Sequence, residues 1–323
     1  KREIQDKFVH EEKNTHSWLR EVYSQSLLAA LKCAADAYSR FFRQLAKFPR
    51  FKSRKNHWQS YQCPQNVKVD FAQQRVRIPK IGWVNAKLHR SFEGEIKTCT
   101  IKKTPHGVYQ ISILVDNHCV LPEKKDIVAE KTIGADVGLK HFVVTCQGKK
   151  ERNPRFLTKS LPRIKELNKI LSRKKKGGNN REKWSRRLAK KHYQVARQRE
   201  FFHHHMANKL LSENQAETIA LEDLHIKGLL KHKKLARHIS DVGWYTFANI
   251  VAYKASWIGH NVIYSGRFAP TSKQCTCGYK NDNLTLADRI WTCPSCQQQH
   301  DRDIFAANNI KKFALADAVG HSQ

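Results

Sequence analysis

IGADVGLKHF, residues 133–142, reads as strand, turn, strand, with an acid closing the first apolar run. Asp136 sits where the chain approaches a Gly-containing turn, and Gly134 and Gly138 leave room beside it for a phosphate. An acid in that position projects from a rigid strand, read here as an edge strand. Further along, Glu217–Glu222 (ETIALE) has the short apolar character of a buried strand and ends on Glu222. A lone carboxylate there is costly to bury without a cation or hydrogen bonds. HDRDIFAANNI, residues 300–310, then opens an apolar helix that can turn Asp303 toward a sheet.

Three carboxylates supply the hard oxygen ligands that suit Mg²⁺. Two such ions ~4 Å apart activate water and stabilise the leaving oxygen in phosphodiester hydrolysis. Strand–acid, strand–acid, helix–acid is the order an RNase H-like fold needs. Each residue also has a plainer reading. Asp136 could form a turn, Glu222 beside Asp223 could begin a loop, and Asp303 could cap its helix, with Asp301 as the competitor.

The rest of the chain narrows the chemistry. Its 323 residues suggest about two domains of ~150 residues. Sixty Lys and Arg against 28 Asp and Glu give +32, a charge that repels itself unless it meets a polyanion, nucleic acid before a membrane surface. Basic stretches at 47–55, 173–191 and 227–237 spread that charge as a long duplex or folded RNA requires. No run approaches the ~18 apolar residues of a membrane span, and no signal peptide is visible, so the expected compartment is the cytosol or the nucleoid of a bacterium-like cell. The chain opens on Lys1 with Met206 as its one methionine, which reads as a truncated or processed start.

Residues 14–47 carry a helix-like apolar stripe with interleaved basic side chains, either a core-packed helical pair or one that also meets nucleic acid. Residues 48–125 alternate as a small antiparallel β unit that could close into a barrel. Two long basic helices, 160–176 and 181–212, flank Gly177-Gly178-Asn179-Asn180, and further helices are expected at 240–260 and 304–315. His203-His204-His205 point in different directions on a helix and read as solvated or RNA-facing surface rather than a shared metal site.

Of nine cysteines, four cluster: Cys275, Cys277, Cys293 and Cys296. Two pairs on facing turns match a zinc ribbon, and a reducing compartment favours metal over disulfides. The first pair is separated by one residue, which demands a strained turn. His300 is a candidate replacement ligand, and a degenerate ribbon with free thiols is the alternative.

IGADVGLKHF, IALEDLHIKGLL (219–230), KLARHISDVGW (234–244), the cysteine segment 269–296 and HDRDIFAANNI, in that order, resemble the TnpB (OrfB) family of insertion-sequence proteins, which share ancestry with type V CRISPR effector nucleases. Residues 153–177 and the FPRFKS of 48–53 fit the same pattern. The resemblance implies an α+β multidomain protein. It has a wedge-type β-barrel carrying recognition helices (1–127), a split RNase H-like RuvC nuclease domain (128–270 and 300–323), and an inserted zinc ribbon (271–299). It implies a transposon-end guide RNA, target double-stranded DNA, an adjacent DNA motif and cleavage at a RuvC site. The family's catalytic, Mg²⁺-binding positions fall on Asp136, Glu222 and Asp303, and its zinc positions on Cys275, Cys277, Cys293 and Cys296.

Three departures set against that pattern suggest decay or truncation. The first barrel strand is missing, the Cys275–Cys277 spacing is short, and Phe305 stands where the family carries Asn. Two other functions therefore compete with the nuclease: a non-cleaving RNA-guided DNA binder, and a helix-turn-helix-like DNA-binding transposition accessory that uses no RNA.

Overall fold

A computed structural model describes residues 11–51, 53, 59–212, 216–285 and 288–320. Residues 52, 54 and 55 of the first basic stretch lie outside the described residues. The chain divides into two compact units, residues 1–119 with 174–190, and residues 120–173 with 191–323.

In the first unit, helix α1 (Ser24–Phe42) packs on a three-stranded antiparallel sheet. That sheet is β1 (Gln59–Cys63), β5 (Glu95–Lys103) and β6 (Tyr109–Asp116) in the order β1-β5-β6. A second antiparallel sheet joins β2 (Lys68–Asp70), β3 (Arg75–Ile78) and β4 (Gly82–Asn85). Cys63, Val67, Val76, Ile78 and Cys99 from both sheets form one core, and no hydrogen-bonded pairing closes the two into a barrel among the described residues. The expected helical pair at 14–47 is instead one long helix preceded by short helical turns, because Val22 and Tyr23 are extended and break the run. Only Ser26 of α1 is fully buried, so its apolar stripe flanks the sheet rather than filling a core.

The second unit is built on a five-stranded sheet of order β11-β10-β7-β8-β9. β7 (Thr132–Val137), β8 (His141–Thr145) and β9 (Lys150–Arg152) run as an antiparallel meander, while β10 (Thr218–Glu222) and β11 (Asn261–Ser265) add in parallel on the other side of β7. The strand bearing Asp136 is therefore central, not an edge as its hairpin suggested; the parallel partners arrive from far along the chain, where local sequence gives no sign of them.

Strand alternation sorts the two faces. Ile133, Ala135, Ile219 and Leu221 point into a core formed with α3 (Asn179–Ser212), α4 (Ala236–Val242) and α5 (Trp244–Trp257). Helix α2 (Phe156–Ser172) precedes these. The expected 240–260 helix is broken at Gly243, whose φ of +68° ends α4 and starts α5. On the opposite face, Ala220 and Ile263 pack against Ile310 and Ala314 of the last helix, α6 (Arg302–Gly320). No described helix is long and apolar enough to cross a membrane.

Gly134 makes that second face possible. A Cβ built there would lie 2.0 Å from the Ala307 carbonyl oxygen and 2.9 Å from the Lys311 side chain. The glycine therefore admits a helix, and the phosphate-clearing role expected for it is replaced by close backbone packing. Gly134→Ala should lower stability by about 1–3 kcal/mol through overpacking, measured as a fall in calorimetric melting temperature. An unchanged melt would mean that α6 does not seat this closely in solution.

Candidate active site and metal centre

Asp136 and Glu222 fall on the α6 face because each stands two residues beyond Gly134 and Ala220, which meet that helix. The parallel register pairs Ala220 with Gly134 and Leu221 with Ala135, so the next step sets Glu222 beside Asp136 at the carboxyl ends of the strands. Asp303 lies in the first turn of α6, on the helix packed against that face. All three acids are half-buried. Burial first, then the Glu222 and Asp303 carboxylates, push Asp136 up to about 7, against the opposing pull of Arg302. Burial and neighbouring Asp223 raise Glu222 as well. Like charges held this way favour a bound cation over ionised carboxylates alone. Hard oxygen donors in such a set fit Mg²⁺. The three carboxylates are not drawn as close as the thiol cluster described below, whose ligand atoms lie within 4.8 Å of one another. A two-ion centre tolerates a wider spread, since its ions themselves stand about 4 Å apart.

The start of α6 explains where Asp303 points. Asp301 accepts hydrogen bonds from the backbone N–H groups of Asp303 and Ile304, both at 3.2 Å, and so takes the cap for which Asp303 also competed. Lys150 pairs with Asp301 at 2.6 Å and anchors the junction to β9. Freed from capping, the Asp303 carboxylate accepts a hydrogen bond from Arg289 at 3.1 Å. Asn309 donates to the carbonyls of Thr271 and Gln274, each at 2.8 Å, and ties α6 to the base of the ribbon. Sequence reading missed Arg289 and Asn309. A buried-type Asn inside an apolar helix was the available signal for the second; the first has none.

The ribbon brings all four predicted cysteines together. Sγ–Sγ distances are 3.6 Å for Cys275–Cys296 and for Cys277–Cys293. Four thiolates at the usual ~2.3 Å from zinc in a tetrahedron stand about 3.8 Å apart, so the cluster fits a structural metal ion such as zinc. The short first spacing is accommodated by a tight turn: Gly278 N–H donates to the Cys275 carbonyl at 3.0 Å and Gly278 adopts φ +92°. The Tyr279 backbone N–H pulls the Cys277 thiol down to about 6. His300 Nε2 lies 3.1 Å from Cys275 Sγ, beside the thiol group rather than in it. Strands β12 (Ile290–Thr292) and β13 (Gln299–Asp301) complete the ribbon, and β13 runs straight into α6. Phe305 is 7% exposed and stacks on His300 with ring centroids 3.9 Å apart, beside Trp291, Cys275 and Cys293. It forms part of the ribbon's small apolar core.

The basic surface includes α3, 34 residues and so about 50 Å long. Arg187 stacks over Trp184 at 4.5 Å and Arg197 over Tyr193 at 5.8 Å. The histidine triplet on this helix is not all surface. His203 is 1% exposed, stacks on Phe142 and bonds the Val242 carbonyl at 2.8 Å. It shares the inward helical face with Met206, Ala207 and Leu210.

Comparison with known proteins gives one consistent answer. The family model described as "Probable transposase" (OrfB of IS605) matches residues 111–233, and that of the Cas12f1-like TNB domain matches 244–310. A Streptomyces pristinaespiralis protein named "Putative RNA-guided DNA endonuclease" is 33% identical over 93% of this chain and 74% of its own length. The Escherichia coli K12 protein InsQ, named in the same terms, is 29% identical over 94% of this chain and 76% of its own. Among solved structures, Cas12f1 in complex with sgRNA and target DNA superposes with a TM-score of 0.52 at 14% identity, covering 89% of this chain and 70% of that one. This likeness carries the fold alone, a shared α+β architecture. The length and identity of the Streptomyces match settle the family: the chain belongs to the TnpB (OrfB) family.

Proposed function

We propose that this protein is a transposon-encoded, RNA-guided, Mg²⁺-dependent DNA endonuclease, with Asp136, Glu222 and Asp303 as the metal-holding acids of a RuvC site. One observation carries the reading: Asp136 and Glu222 on one sheet face meet Asp303 on the helix packed against it, and Asp136 bears the electrostatic cost of the other two. The relatives' names and the RNA and DNA in the Cas12f1 complex support the choice of partners.

Asp136 and Glu222, fixed on adjacent strands, provide the rigid part of the ion site. Asp303 completes it on leaving Arg289. Two Mg²⁺ ions, when bound, supply an activated water and charge neutralisation at the leaving oxygen. The basic α2, α3 and residues 227–237 hold the guide–target heteroduplex by its backbone, since base pairing reads the sequence. The four cysteines hold one structural Zn²⁺. The two-sheet unit takes the part of the wedge-type barrel with α1 as its recognition helix, residues 128–270 and 300–323 form the nuclease domain around a ribbon at 271–299, and the protein works in the cytosol or nucleoid.

A second reading, a non-cleaving RNA-guided binder, draws on the Arg289–Asp303 pair, which occupies one of the acids. Co-expression with the neighbouring transposon-end RNA, followed by plasmid cleavage with and without Mg²⁺, separates the two. Mg²⁺-dependent cutting at the guided site is expected. A preparation that holds the RNA and binds the target but never cuts favours the second reading, and one that binds duplex DNA without any RNA removes both.

A further inference from the structure

Beside the acids, at the carboxyl ends of the central strands, the first turn of α5 closes over a cavity of about 180 Å³. Leu221 and Phe247 give it apolar walls, Trp244, Tyr245 and Tyr264 give it rings, and Glu222 lies on its lining. Three independent features point to a ligand. Trp244 is 8% exposed, yet its buried Nε1–H has no acceptor among the described residues. Tyr245 and Tyr264 remain 70% and 42% exposed although both line the cavity, so aromatic surface stands open at its walls. Glu222 belongs both to this cavity and to the acid cluster, so a group in the cavity touches one of the three acids.

We propose that the cavity receives one nucleobase of the DNA strand being cut, a reading that rests on the nuclease function proposed above. A base is flat, stacks on tyrosine rings irrespective of its identity, and presents ring-nitrogen or carbonyl acceptors that the orphaned Trp244 N–H can donate to. The Glu222 carboxylate disfavours a phosphate or carboxylate in the same space. Seating one base fixes the strand's register, so the neighbouring phosphate is delivered to Asp136 and Glu222 at a set position. Tyr245, Tyr264 and Trp244 are thereby positioning residues.

The test uses the full chain with its co-purifying RNA and DNA strands in which 2-aminopurine replaces one base at a time around the cut. Wild-type protein should quench the probe several-fold at one position only. Tyr264→Ala and, separately, Tyr245→Ala should restore most of that fluorescence; both side chains are exposed enough for the fold to survive. Trp244→Phe, which keeps the ring packing and removes the N–H, should give partial recovery. Absence of any position at which these variants change the signal overturns the proposal. Cleavage is read in the same samples. Cutting without site-specific quenching sinks the base pocket and leaves the nuclease, whereas quenching without cutting supports the pocket and sinks the nuclease.

Discussion

Asp136→Asn should yield a protein that no longer cuts DNA yet melts at a higher temperature than the wild type. The loss of activity follows from removing a charged oxygen from the ion site. Metal-centred charge stabilisation amounts to several kcal/mol, so guided cleavage should fall by about 10³-fold or more, with RNA binding unchanged. The gain in stability follows from the same crowding. Burial and the neighbouring acids raise the Asp136 carboxyl from its usual 3.8 to about 7. Between these values the unfolded chain has released its proton and the folded one has kept it, so folding weakens as pH climbs from about 4 to 7 and stays weakened above. An amide escapes that penalty. Metal-free Asp136→Asn should therefore gain a few degrees over metal-free wild type at pH 8, at about 2–4 °C per kcal/mol, and little at pH 4. Calorimetry of both proteins at the two pH values checks this. Equal melting at pH 8, together with undiminished cutting, would remove Asp136 from the site.

The second large effect concerns the ribbon. Its apolar core within the described residues is Cys275, Trp291, Cys293, Phe305 and partly buried Leu284, far too little to hold a fold by burial alone. Binding of structural zinc by peptide-sized sites contributes about 10–16 kcal/mol, enough for an ion held by the four cysteines to fold this segment. Purified protein should contain about one zinc per chain. Cys293→Ser, or a strong chelator, should release it, raise the solvent exposure of Trp291 seen in its fluorescence, and abolish cleavage. The last consequence follows from connectivity: β13 passes directly into α6 and Asn309 ties that helix to Thr271 and Gln274. An unfolded ribbon therefore loosens the turn that carries Asp303. Metal-free protein with a native Trp291 spectrum would show that the thiols are only a degenerate remnant.

Much of this was legible in the sequence, for physical reasons that differ by residue. Apolar runs ending on an acid announced β7 and β10, since a buried strand has few ways to accommodate a terminal carboxylate. Cysteine spacing announced the ribbon because tetrahedral thiolate ligation leaves little freedom. Pairing between distant strands was not legible, which is why Asp136 was placed on an edge when β7 is central. Gly134 was read for the space it leaves to a ligand, whereas a glycine inside a buried strand also marks backbone approach, here by Ala307. The packing of Phe305 was not legible either: its ring joins the ribbon's core with Trp291 and two cysteines, a partner set that the local sequence does not show. His203 followed a rule the triplet obscured: counting from Met206, Ala207 and Leu210 places it inside.

The most direct measurement is Mn²⁺ anomalous scattering from crystals of the protein bound to its RNA and target DNA. Metal peaks are expected within about 2.2 Å of carboxylate oxygens from Asp136, Glu222 and Asp303, with Asp303 released from Arg289. Peaks that leave any of the three acids unligated, or Asp303 still held by Arg289 with DNA in place, would contradict it.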